Sequence, residues 1–165
     1  MAVWQSTLHL VPRAKAVALC GEPLNGEFLD LEEDLADVEW WTEEQPPGDL
    51  GQRVDALLSR ARAWSPDLET WGTEDGDRID VWRDEGRVVE LTVRFDMRSP
   101  NESFILGIAT LAHELGCLLL SQERLLVDPK PDTLAALLRQ SPAMRFVEDP
   151  LAFLRRIRLG GPEDG

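Results

Sequence analysis

The period of the apolar positions changes several times along this chain, and the changes mark its elements. Val3 to Val11 alternates, with Trp4, Leu8 and Leu10 on one side and Gln5, Thr7 and His9 on the other, which predicts a strand ended by Pro12. Phe28, Leu31, Leu35 and Val38 then recur at helical spacing and predict a short helix, broken by Gln45-Pro46-Pro47-Gly48. Asp49 and Gln52 have the spacing of a capping box, and Leu50, Val54, Leu57, Leu58 and Ala61 form a stripe behind them, so a helix is expected to run to about Trp64.

Ser65-Pro66-Asp67 reads as a turn. From Gly72 to Met97 the turn signals Asp75-Gly76 and Asp84-Glu85-Gly86 separate β-type runs, which predicts a meander. Its longest strand places Val89, Leu91, Val93, Phe95 and Met97 on a buried face, with Glu90, Thr92, Arg94 and Asp96 opposite. Ser99-Pro100-Asn101-Glu102 combines a serine cap, proline at the first helical position and a glutamate three residues after the cap. The helix it starts buries Phe104, Ile108, Leu111 and Leu115 and stops at Gly116. Cys117 to Leu120 and Leu125 to Val127 read as neighbouring short strands. Pro131-Asp132 opens a helix carrying Leu134, Leu137 and Leu138, and Asp149-Pro150 opens the last one.

The expected architecture is one α+β domain over residues 1–160, with a mixed or antiparallel sheet of about five strands packed against three to four helices. Residues 161–165 form a polar tail expected to fray. At 165 residues, 43% hydrophobic and 29% charged, the chain can bury a core without disulfides or metal. No apolar run approaches the roughly 20 residues of a membrane span. Val17-Ala18-Leu19-Cys20 resembles a lipoprotein processing site but follows Pro12, Arg13 and Lys15 and has Leu19 where a small residue belongs, so a cytoplasmic protein is expected. In that compartment Cys20 and Cys117 are expected to be reduced thiols.

Charge changes the picture most. The formal net charge is -14, and residues 21–50 hold eleven acidic side chains with no Lys or Arg, so the rest of the chain sums to only -3. Nucleic acid is excluded as an expected partner, because phosphate binding uses clustered Lys and Arg. A basic protein fits instead.

Chemistry-bearing patterns fail one by one. His113-Glu114 is half of a zinc-protease pattern, but position 117 is Cys and not a second histidine. A Cys117–His113 nucleophile pair is disfavoured, since the thiol follows a helix C-terminus and begins an apolar strand. Glu74-Asp75-Gly76-Asp77 lacks the ligand ladder of a calcium loop, and neither a phosphate loop nor a Gly-x-Ser-x-Gly elbow is present. Catalytic, cofactor and metal residues are therefore assigned to none.

All six tryptophans lie in the first half, and there is no tyrosine. Trp4 and Trp82 read as core or rim anchors of the sheet. Adjacent Trp40 and Trp41 sit inside the acidic block, and two consecutive side chains do not easily enter one core, so either packing or an interaction role remains open for them. The candidate partner-binding surface comprises Asp30, Glu32, Glu33, Asp34, Asp37, Glu39, Trp40, Trp41, Glu43 and Glu44.

Trp64-Ser65-Pro66, Trp71-Gly72, Asp75-Gly76 before Ile79-Asp80-Val81-Trp82, and Glu114-Leu115-Gly116-Cys117-Leu118-Leu119 together resemble a family of uncharacterised bacterial proteins over most of the chain. Size, acidity and the lack of catalytic residues also resemble the general character of bacterial immunity proteins, which neutralise a toxin by binding it. That resemblance implies a non-enzymatic inhibitor of a basic toxin and carries no functional residue over. The alternative is an enzyme or small-ligand protein whose site is assembled from residues distant in sequence. A homo-oligomer joined through the open sheet edge is a further possibility.

Overall fold

The computed structural model describes residues 2–21, 27–28, 34, 37–151 and 154–155. Its strands are β1 Gln5–Pro12, β2 Glu27–Phe28, β3 Arg60–Ala61, β4 Leu68–Gly72, β5 Arg78–Asp84, β6 Arg87–Asp96, β7 Cys117–Ser121 and β8 Leu125–Val127. The helices are α1 Arg13–Cys20, α2 Leu50–Asp55, α3 Glu102–Glu114, α4 Pro131–Arg139 and α5 Pro142–Glu148. The α+β class holds, and among the described residues eight strands and five defined helices stand where about five strands and three to four helices were expected. No described helix is long and apolar enough to cross a membrane.

One sheet runs β2-β8-β7-β1-β6-β5-β4-β3 with every neighbouring pair antiparallel. The first strand is thus central. Both β6 and β7 run antiparallel to β1, hence parallel to each other, and a parallel pair needs a crossover that α3 supplies. Directly paired residues share a face, so Trp71, Ile79, Val93 and Leu8 form one apolar row. Phe95 lies on this face and meets Phe104 of α3, ring centroids 5.3 Å apart, which puts the helix over it.

Several boundaries moved for identifiable reasons. The cap of α3 is Asn101, whose side chain accepts from the Phe104 amide at 3.1 Å, two residues beyond the expected Ser99. Helix α2 ends at Asp55, well short of Trp64, because the next residues are drawn into β3, where Arg60 and Ala61 pair with Trp71 and Thr70. Asp49 stands at its N-cap, but its side chain makes no capping hydrogen bond and instead meets the Arg53 guanidinium at 3.1 Å. In β6 the buried residue is Val88 and Val89 is exposed, the reverse of the expected alternation. A bulge explains this: Trp82 pairs with Glu90 but Arg83 pairs with Val88, leaving Val89 as the extra residue. Phe28, expected on a helix, belongs to β2 beside Leu125, while Leu31 and Leu35 lie outside the described residues.

Candidate functional site

The acidic segment is rooted in the core by its two tryptophans. Trp40 and Trp41 are 4% and 1% exposed, which corrects their assignment as partner-binding residues. Adjacent side chains diverge by about 180° only in a strand. Here they occupy a turn, so both can enter the same interior. The Trp41 indole donates to the Leu10 carbonyl at 3.2 Å, whereas the buried Trp40 indole N–H has no hydrogen-bond partner among the described residues.

Further anchors hold the loop that follows. Gln45 accepts from the Val88 amide at 2.7 Å and donates to the Val88 carbonyl at 2.9 Å, continuing the pairing of β6 where its ladder with β1 has ended. Arg87 donates to the Thr42 carbonyl at 3.0 Å. With the ring systems inside, Asp37, Glu39, Glu43 and Glu44 face solvent, as does Asp34. Lys15 reaches Glu43 at 3.6 Å and Arg124 reaches Asp34 at 3.8 Å, both through largely exposed carboxylates. Such surface pairs contribute about 0–1 kcal/mol and give way readily to a stronger cationic partner. Asp30, Glu32 and Glu33 lie outside the described residues.

The sheet face opposite α3 carries a polar row that the sequence reading missed. Thr70, Asp80, Thr92 and His9 stand in line across β4, β5, β6 and β1, and the row continues as Leu120 and Leu126. Thr70 donates to Asp80, and the Arg78 guanidinium donates to both Asp80 oxygens at 2.9 and 3.1 Å. Arg94 adds a contact at 3.8 Å, so this 4% exposed carboxylate is compensated. Burial holds His9 below the ordinary imidazole value. Only the period-2 pattern of each strand was legible beforehand; which residues align across strands is decided by register.

Next to this row, Leu68, Trp82 and Glu90 share a face across β4, β5 and β6. Trp64 stands against Trp82 with centroids 5.3 Å apart and planes at 68°, yet remains 76% exposed. The Glu90 carboxylate makes neither a hydrogen bond nor an ion pair among the described residues. Burial, then repulsion from Asp80, pushes its carboxyl above the usual range.

Burial, with the Glu44 charge behind it, pushes the Cys117 thiol up to about 12, and His113 is exposed on α3. Among the described residues no three His, Cys, Asp or Glu side chains are placed to hold a metal ion. Of the described surface hollows, one lies between α2 and α3 beside Leu57, Leu106 and Gly107, and another beside Val3, Ser6 and Pro142. No family model, curated protein or solved structure matches the chain.

Proposed function

We propose that this chain is a non-enzymatic protein-binding module, an immunity-type inhibitor that engages a basic toxin through its acidic surface. The observation that carries the reading is the loop Asp37–Gln45, with its tryptophans buried and its carboxylates outward. A fixed acidic loop presents its field without first paying the entropy of ordering, and it speeds encounter with a cationic partner. The enzyme reading draws on the His9–Thr92–Asp80–Thr70 row, but there Thr70 and Arg78 already occupy the Asp80 carboxylate.

Affinity capture from the native cell tests this, with two baits compared: the wild-type chain and a variant in which Asp34, Asp37, Glu39, Glu43 and Glu44 become Asn or Gln. The expected result is a protein of pI above about 9 enriched on wild type and depleted about tenfold or more on the variant. Identical captured proteins on both baits overturn the proposal.

A further inference from the structure

Resting on the protein-binding reading, we infer that the interface has its aromatic anchor at the corner of Trp64 and Trp82. Together with Glu90 this corner receives an arginine side chain of the basic partner. Trp40 and Trp41 are inside the protein, so the acidic loop needs its aromatic contact from elsewhere. Trp64 is the most exposed large apolar side chain described, and its ring meets Trp82 edge-on at 68°, leaving indole surface open to solvent. Indole faces are electron-rich and attract cations within about 6 Å, guanidinium groups most often.

Glu90 supplies the countercharge. It stands directly across from Trp82 on the same face and lacks an ion pair among the described residues, a poor arrangement for a half-buried carboxylate unless a cation arrives. Three of the cations around this corner are engaged elsewhere: Arg83 with Glu69 at 2.6 Å, Arg60 with Glu69 at 3.2 Å, and Arg78 with Asp80 at 2.9 Å. Glu90 lies two residues beyond Val88, across the bulge at Val89, and Val88 is where Gln45 ties down the acidic loop. Corner and loop therefore belong to one end of the sheet. Arginine is favoured over lysine because its planar head stacks on indole while its fork bonds a carboxylate through two N–H groups.

The test uses the full chain and three peptides with alternating glycine: one of arginine, one of citrulline, its neutral isostere, and one of lysine. Binding is followed by NMR through the indole N–H signals, Trp64 being assigned from its absence in Trp64→Phe. Wild type is expected to bind the arginine peptide with the Trp64 signal shifting, about tenfold tighter than citrulline and measurably tighter than lysine. Trp64→Ala and Glu90→Gln should each weaken arginine binding about tenfold, and Trp64→Phe less. If Trp64→Ala fails to fold, Trp64→Phe and Glu90→Gln carry the test.

No binding of the arginine peptide by wild type, or binding indifferent to Trp64 and Glu90, overturns the corner. Should the five-residue loop variant lose binding while Trp64→Ala and Glu90→Gln keep it, the acidic-loop reading survives alone. The opposite result leaves the corner standing and removes the loop. A wild-type dimer that Trp64→Ala converts to monomer overturns the inference by making a second copy the occupant.

Discussion

Trp41 shows how a single side chain links this protein's core to its surface. Its ring is 1% exposed and its N–H holds the Leu10 carbonyl, so Trp41→Ala empties a large volume and orphans a buried acceptor. A loss of about 3–5 kcal/mol in urea unfolding is expected, against little change for Glu43→Gln or Glu44→Gln. Cys117 gives a second residue-scale expectation. With its thiol pushed up to about 12 and Cys20 exposed, an alkylating reagent should modify one thiol per native chain and two after denaturation. Glu90 gives a third. Burial raises its carboxyl only in the folded chain, so its contribution to stability is present below the ordinary carboxylate range and is lost as pH rises through the raised value. Relative to wild type, Glu90→Gln should therefore be more stable at about pH 7 and equal at about pH 3, measured by urea unfolding at both values.

Among the elements, the β4–β5 connection is the most sharply constrained. Gly72 has φ +89°, and a Cβ there would strike the carbonyl of Asp77, so Gly72→Ala should cost more than about 1 kcal/mol in thermal unfolding. Elements whose sequence pattern coincides with their packing were legible: α3, with Phe104, Ile108 and Leu111 buried, and β7, buried along its whole length. So was the β5–β6 hairpin, where Glu85 and Gly86 both take positive φ between the paired Asp84 and Arg87. Elements decided by their neighbours were not. Helix α1 buries only Ala16 and shows no stripe, β2 and β3 are too short for a period, and the Val88/Val89 exchange exists because β5 sets the register. Helix α5 did carry a signal, Ser141 before Pro142, with the Ser141 hydroxyl accepting from the Met144 amide at 3.3 Å. The acidic half of the candidate site was legible as composition. Its tryptophan half was not, because whether a turn or a strand carries Trp40-Trp41 depends on contacts with Leu10 and Val88 that lie far away in the chain.

At the scale of the whole molecule, acidic charge is concentrated in one stretch of the sequence. The antiparallel sheet and its helices form the frame, while eleven of the 31 acidic residues lie in residues 21–50 without a single Lys or Arg among them. Such a concentrated field acts mainly on the rate of encounter and is screened over about 8–10 Å at physiological salt. The most direct measurement is the association rate constant with the captured basic partner, taken from about 50 to 500 mM NaCl for wild type and for the five-residue loop variant. A wild-type rate that falls about tenfold or more across that range, beside a slower and nearly flat rate for the variant, is the predicted result. Equal rates and equal salt slopes for the two proteins would contradict an acidic loop built to meet a basic partner.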